Sequence, residues 1–386
     1  MTSRPRTAPR KSTSASDGAA QIDAARRSPD AALRLVELLP ERAPLYAGRG
    51  SNEAERLRSY VLASFESIGL PPNAVPYVLE ELETGRNPYT VAAAARALRG
   101  AAVMPPAAPA LLVAAIRRLR AVDDVVTFER FAPTLDSTDS VTALSELAST
   151  LAWIGPRASH VLEPLTSLVE NEGHRFSDAV LAALTKAVAA LGQSEAATVG
   201  CCGTNDDEVA ATTESGFVAA SAVDPRHVLL ENQDGQRLVF AEAFGGRPSA
   251  LAFFYTRCTN PEKCSLTVTK VARLARRIRS DGLEANVAGI SYDPRFDHPA
   301  RLRRYGVDRG MRFSPRCSLL RTVGLLDPLV DAFELGVGYG PVTVNRHRLD
   351  LIVLDASLGV TQRFERRLWT ESAALDALRM QATATA

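Results

Sequence analysis

Two cysteines, Cys258 and Cys264, stand six positions apart just after an apolar run and are the residues best suited to chemistry. A thiolate attacks disulfides and binds soft metal ions, and its availability depends on the pKa of the thiol. The chain contains five cysteines, an odd number that argues against a framework of structural disulfides. The sequence therefore predicts either thiol–disulfide exchange or a metal site around this pair.

Local signals predict how the elements around the pair are arranged. Residues 250–255 are apolar and indicate a buried strand, and the apolar spacing over residues 266–278 indicates a helix. Asn260 and Pro261 between them are typical of an N-cap followed by a proline at the first helical position. The pair is thus expected where a strand passes into a helix.

This placement predicts that the two sulfur atoms act together. Cys258 would lie in the loop and Cys264 in the first helical turns, so that their side chains can converge. The free N–H groups at the helix start and the neighbouring Lys263 would both favour the thiolate form.

Beyond Pro225 short apolar runs alternate with turns and helical patterns, which predicts an α/β domain. Hairpins are expected from residues 228–230 with 238–240 and from residues 342–344 with 349–354. A further strand over 285–292 and a short helix over 299–305 complete the prediction.

Further segments follow the cysteines in a recognisable order. Residues 290–299 read Ile-Ser-Tyr-Asp-Pro-Arg-Phe-Asp-His-Pro, residues 337–339 read Val-Gly-Tyr, and His347 stands eight positions before Asp355. Together with the run Phe-Tyr-Thr-Arg-Cys at 254–258, they resemble the Sco/SenC family over about residues 228–368.

The resemblance implies a thioredoxin-like fold and a Cu(I) site formed by Cys258, Cys264 and His347. Two thiolates and one neutral imidazole are soft donors suited to Cu(I), whereas zinc usually takes a fourth ligand. Family members usually leave three residues between their cysteines, and this chain leaves five, including Pro261. The family serves copper-centre assembly in cytochrome oxidase, which implies a copper acceptor protein as partner.

Three functions stay open at this point. The first is Sco-like binding of Cu(I) by two cysteines and a histidine, for metallochaperone or redox use. The second is a thiol–disulfide oxidoreductase with Cys258 and Cys264 as its catalytic residues. The third is an interaction scaffold in which the helical half binds partners and the thioredoxin-like half is an inactive platform.

Other residues with chemical potential are given structural interpretations. Asp297 beside His298 could form a catalytic pair, but the proline that follows favours a helix start at Asp297. Cys317 follows Ser-Pro, another helix start, and is expected as a half-buried helix cysteine. Cys201 and Cys202 are expected to be exposed thiols in a polar linker.

The N-terminal half shows apolar residues at three- and four-residue spacing from residue 31 to residue 192, which predicts several helices. Helices ending at Gly100, Gly155 and Gly192 resemble HEAT-type repeats, and the last interval fits a repeat of about 40 residues. The first interval does not, so either the array is irregular or residues around 123–139 are an insertion. An ordinary helical bundle is the alternative.

The domain organisation expected is a disordered tail at 1–30, a helical HEAT-like domain at 31–195, a linker at 196–224 and a thioredoxin-like Sco/SenC domain at 225–386. The fold class is thus two-domain, all-α followed by α/β. A protein partner is expected to bind through the helical domain.

Charge and hydropathy limit the class of protein. The 45 basic and 44 acidic residues leave a formal charge of +1, so no nucleic-acid partner is indicated. No apolar run of about 18 residues exists that could serve as a membrane anchor, and no secretory h-region follows the basic start. A cytoplasmic protein is therefore predicted.

Overall fold

A computed structural model describes residues 15–129, 131, 141–193 and 224–384 of the chain. The N-terminal half is helical, as predicted. Its elements are α1 (Ala15–Arg26), α2 (Ala31–Val36), α3 (Ser51–Ile68), α4 (Val75–Thr84), α5 (Pro88–Ala97), α6 (Ala108–Leu119), a ribbon of β1 (Val125–Val126) and β2 (Val141–Thr142), α7 (Ala143–Ile154), α8 (Leu162–Glu172) and α9 (Asp178–Leu191). Within the described ranges, no helix has the length and apolar character needed to cross a membrane.

These helices pack in two layers. Helices α3, α5, α7 and α9 lie side by side in one layer, and α4, α6 and α8 form the other. Helix α5 buries Val91 and the four alanines that follow it. Because alanine side chains are small, α3 and α7 can approach α5 closely from its two sides.

Unlike the disordered tail expected over residues 1–30, Ala15–Arg26 forms helix α1, which buries Ile22 completely against the helical core. Average composition misses such a segment because one buried isoleucine and a few alanines are enough to dock a short helix.

Of the three glycines expected to end helices, Gly155 has a positive φ (61°).

The C-terminal half is the α/β domain that the sequence predicts. Its elements are β3 (Leu229–Asn232), β4 (Arg237–Val239), α10 (Phe240–Phe244), β5 (Ser249–Phe254), α11 (Leu266–Ser280), β6 (Asn286–Ser291), α12 (Pro299–Val307), β7 (Cys317–Thr322), α13 (Asp327–Ala332), β8 (Val337–Tyr339), β9 (Val344–His347), β10 (Asp350–Leu354), β11 (Val360–Glu365) and α14 (Glu371–Ala384).

Seven strands form a mixed sheet in the order β11-β10-β5-β6-β7-β3-β4, in which β5, β6 and β7 are parallel and the other pairs antiparallel. Every residue of β5 and β6 is buried, since helices cover both faces of the sheet. Helices α11 and α14 pack on one face, and α10 and α13 pack on the other. The predicted strand at 250–255 and helix at 266–278 are thereby confirmed.

The hairpin expected from residues 342–344 and 349–354 is wrong. Strand β9 pairs with β8 in a separate two-stranded ribbon, whereas β10 lies between β5 and β11 in the main sheet. Nearness along the chain suggested the hairpin, but β10 is a fully buried strand inside the main sheet, and its neighbours are determined by that burial.

The β8–β9 ribbon lies against the helical half. The side-chain amide of Asn345 donates hydrogen bonds to the carbonyls of Tyr46 and Arg49, at 2.8 and 3.0 Å. A Cβ atom on Gly338 would lie 2.4 Å from the carbonyl oxygen of Glu41, so this position has room only for glycine. The close approach brings the C-terminal end of β9 next to helices α3 and α4.

Candidate metal centre

The loop after β5 holds the first cysteine and shapes the approach to the second. Asn260 caps the following turn by accepting a hydrogen bond from the Glu262 N–H at 2.9 Å, and Pro261 occupies the first turn position, as predicted. The turn Pro261–Ser265 is not regular helix, because Lys263 adopts φ −103° and ψ −105°. This kink turns the Cys264 side chain toward Cys258 before α11 begins.

The structure brings the three predicted residues together. The Nε2 atom of His347 lies 3.4 Å from the Sγ of Cys258 and 3.2 Å from the Sγ of Cys264, and the three donor atoms all lie within 4.8 Å of one another. Both cysteines are free thiols. His347 is the last residue of β9, and only 6% of it is exposed. Among the described residues this is the one group of three or more ligating side chains close enough to hold a metal ion.

Aromatic side chains hold the imidazole. The ring of Tyr292 stacks on the ring of His347 with centroids 6.0 Å apart, and the ring of Tyr255 meets it edge-on at 5.2 Å. Tyr292 is itself anchored, since its hydroxyl donates to the Asp350 carboxylate at 3.1 Å. These contacts hold the imidazole with its Nε2 atom directed toward the two sulfurs.

The two thiols differ in acidity. A hydrogen bond from Cys264, joined by the charge of His347 and opposed by burial, lowers the pKa of Cys258 to about 3. Burial raises the pKa of Cys264 well above its ordinary value, and its hydrogen bond to Cys258 acts in the same direction. At neutral pH the pair thus shares one proton, which resides on the buried Cys264, while the half-buried Cys258 is a thiolate.

The donor set fits a soft, low-coordinate ion. Cys258, Cys264 and His347 supply two sulfurs and one nitrogen, and no carboxylate joins them in the described part of the chain. Such donors suit Cu(I), whereas structural zinc sites usually have four protein ligands.

Asp297 has a role that sequence interpretation missed. It does not cap α12, whose N-cap is His298. Its buried carboxylate instead accepts hydrogen bonds from the Thr256 N–H at 3.1 Å, from the Thr256 hydroxyl and from the Ser291 hydroxyl at 2.5 Å. Burial raises the pKa of Asp297. The carboxylate ties the loop of Cys258 to the end of β6.

The remaining candidate residues lie outside the donor group. His298 is exposed while Asp297 is buried, so they do not form a catalytic pair. Cys317 begins strand β7 and is buried, contrary to the helix expected there, and burial raises its pKa to about 11. The Ser-Pro before it forms a tight turn, closed by two hydrogen bonds between Ser314 and Cys317, in place of a helix start. Cys201 and Cys202 lie outside the described residues.

Fold and donors together define a thioredoxin-like domain with a centre of two thiols and one imidazole. Residues 219–320 match the sequence model of the SCO1/SenC family, so this chain carries a SCO1/SenC domain. The matched range includes Cys258 and Cys264 and ends before His347, which the fold brings to them.

Solved structures of Sco proteins are similar to the C-terminal half. Copper-bound ScoI of Bradyrhizobium japonicum is 20% identical with a TM-score of 0.34, over 42% of this chain and 99% of that one. Copper-bound ScoI of Arabidopsis thaliana is 17% identical with a TM-score of 0.34, over 41% and 96%. BsSco, a Sco-family cytochrome c oxidase assembly protein with a disulfide switch, is 16% identical with a TM-score of 0.35, over 42% and 97%. No curated protein sequence matches the chain.

Proposed function

We propose that this protein binds Cu(I) through Cys258, Cys264 and His347 and uses it as a Sco-like metallochaperone or redox protein. The observation that carries the proposal is the convergence of the three donor atoms within 4.8 Å. The SCO1/SenC match over the segment that contains both cysteines supports copper over other soft ions.

The difference in acidity between the two thiols predicts the order in which they bind copper. Cys258 is half-buried and already a thiolate, so it supplies the first donor without losing a proton. Cys264 is 1% exposed and carries the shared proton, which it releases when its sulfur becomes a ligand. Binding should therefore weaken as the pH falls, and a copper acceptor protein would approach from the side of Cys258.

Anaerobic titration of the full chain with Cu(I), in competition with a chromogenic chelator, tests the proposal. We expect one tightly bound copper per chain, and Cys264→Ala or His347→Ala should weaken it by more than the roughly 10–100-fold typical of losing an outer-shell partner. Cys317→Ala is the matched control and should leave binding unchanged, since that buried thiol lies outside the donor group. Tight binding that survives both ligand substitutions would reject this site.

The acidity of Cys258 also favours a second function, thiol–disulfide exchange. The Cys258 thiolate would attack a substrate disulfide, form a mixed disulfide and release one substrate thiolate. Cys264 would then lose its proton, attack the Cys258 sulfur and release the second substrate thiolate. The substrate gains two electrons, and the protein is left with a Cys258–Cys264 disulfide that a cellular thiol pool must reduce.

Reaction of cysteine variants with glutathione disulfide tests this second function. Cys264→Ser should accumulate a mixed disulfide on Cys258, because no resolving thiol remains nearby. Cys258→Ser is the control and should form none at Cys264, which is buried. Absence of any adduct in Cys264→Ser would contradict thiol exchange.

For the helical half we propose a HEAT-like array that binds a protein partner, supported by the alternation of α3 to α9 between two layers. Crosslinking of the full chain in its native cells, followed by mass spectrometry, tests this. Crosslinks to residues 31–193 would support the proposal, and crosslinks confined to residues 224–384 would contradict it.

A cytoplasmic location stays a prediction, which cell fractionation would check.

A further inference from the structure

Helix α4 of the helical half contacts the segments that carry all three donors. Three of its last five residues, Glu80, Glu81 and Thr84, hydrogen-bond to residues that lie one or two positions from the cysteines and the histidine. These contacts come from outside the range that matches the SCO1/SenC family.

The first contact reaches both the cysteine turn and the histidine strand. The ammonium of Lys263, next to Cys264, donates to Glu80 at 2.8 Å and to the carbonyl oxygen of His347 at 3.3 Å. Glu80 is fully buried and also accepts from Arg366 at 2.9 Å. Glu80 thus fixes a side chain that links the backbone beside Cys264 to the backbone of His347.

The second contact holds the strand of the histidine. Arg346, directly before His347, donates to the Glu81 carboxylate at 2.8 Å. The same oxygen of Glu81 accepts from Arg58 on α3 at 2.9 Å, and all three side chains are buried. Strand β9 is therefore anchored to two helices through one carboxylate.

The third contact holds the loop of the other cysteine. The Asn260 side-chain amide donates to the carbonyl of Thr84 at 2.7 Å, at the end of α4. The Asn260 carbonyl in turn lies 3.5 Å from the Cys258 sulfur. Each donor segment is accordingly fixed to the same short stretch of helix.

Buried charges of this kind are held strictly in place. Lys263 and Arg346 are each 8% exposed, and a buried charge that loses its partner is strongly unfavourable. Lys263 directly precedes Cys264 and Arg346 directly precedes His347, so a shift of either charged residue would also move a donor. The ion pairs therefore constrain the positions of the donors as well as the contact between the two halves.

We propose that Glu80 and Glu81 are positioning residues for the copper donors, so that the helical half holds Cys258, Cys264 and His347 converged. The inference rests on the proposed copper site but names residues outside the SCO1/SenC domain. Loss of either carboxylate should weaken metal binding even where the protein stays folded.

The test compares Glu80→Gln and Glu81→Gln with Glu146→Gln in the full chain. Glu146 is a matched control, because its buried carboxylate pairs with Arg99 at 2.8 Å inside the helical half, away from the donors. By analogy with outer-shell partners, both test variants should bind Cu(I) about 10-fold more weakly or worse, and the control should bind like the unmodified chain. Test variants that bind Cu(I) as tightly as the control would overturn the proposal.

A second readout needs no metal. The equilibrium between the two free thiols and their disulfide, measured against glutathione, should shift about tenfold toward the thiols in both test variants and stay unchanged in the control. An unchanged equilibrium in the test variants would overturn the positioning role. If the unmodified chain binds no copper, the proposed function fails, but the thiol–disulfide equilibrium still tests the positioning role of Glu80 and Glu81.

If Glu80→Gln does not fold, Lys263→Gln removes the same ion pair from the other side. Its Cu(I) affinity and its thiol–disulfide equilibrium should then change as predicted for Glu80→Gln, and no change in them would overturn the proposal.

Discussion

The Nε2 atom of His347 lies 3.2 Å from the Sγ of Cys264, although the two residues are 83 positions apart. One is the last residue of β9, and the other lies in the turn before α11. The site therefore exists only once the β8–β9 ribbon has docked beside the main sheet. Ligand geometry and tertiary folding are coupled in this protein.

The reactivity of Cys258 should be nearly independent of pH between 5 and 8. With a pKa of about 3, maintained first by the hydrogen bond from Cys264, its thiolate is fully formed across that range. The rate of alkylation by iodoacetamide, followed by mass spectrometry, should stay flat, and Cys264 should react much more slowly.

Cys264→Ala provides the comparison for that rate, because it removes the hydrogen bond that contributes most to the low pKa of Cys258. The alkylation rate of Cys258 at pH 5 should then fall relative to its rate at pH 8. A rate in the unmodified chain that rises about tenfold per pH unit from 5 to 8 would show that Cys258 is an ordinary thiol.

The contact between the two halves should be sensitive to acid through Glu80. Burial opposes the charge of Glu80, but Lys263 and Arg366 outweigh it and lower its pKa to about 2. Since this pKa is below the ordinary value of 4.5, unfolding takes up a proton below about pH 4.5. The free energy of unfolding should fall by a few kcal/mol as the pH drops from 4.5 toward 2.

Urea unfolding at several pH values measures this dependence. The fall should be smaller in Glu80→Gln, which cannot take up the proton, and undiminished in Glu170→Gln, whose side chain is exposed on α8. Equal slopes in all three proteins below pH 4.5 would contradict the role assigned to Glu80.

Asp297→Ala should destabilise the protein by about 2–4 kcal/mol, because it leaves the Thr256 and Ser291 donors without their buried acceptor. Asp308→Ala removes an exposed pair with Arg304 and should cost under about 1 kcal/mol. Chemical unfolding of both variants measures the difference. A cost for Asp297→Ala no greater than that for Asp308→Ala would show that the Asp297 carboxylate does not stabilise the loop of Cys258.

The surroundings of the cysteines were predictable because their signals are local. An apolar run, an Asn-Pro cap and an amphipathic helix follow one another within 30 residues and lead to β5, the turn at Pro261 and α11. His347 could be identified through family resemblance, since no local pattern distinguishes it from an exposed histidine in a turn.

Features that depend on distant partners were missed. Strand β9 pairs with β8 and not with β10, since pairing follows the burial of whole strands and not their nearness along the chain. Cys317 belongs to a strand because β7 completes the parallel centre of the sheet beside β6, which outweighs the Ser-Pro signal. Glu80 and Glu81 resemble surface residues of a helix until their partners, 183 and 265 positions away, are known.

X-ray absorption at the copper edge, on anaerobically loaded full-length protein, tests the central claim most directly. We expect copper to be coordinated by two sulfurs and one nitrogen, with the imidazole scattering lost in His347→Ala and one sulfur lost in Cys264→Ala. A shell without sulfur, or the same shell in all three proteins, would contradict a copper centre built from Cys258, Cys264 and His347.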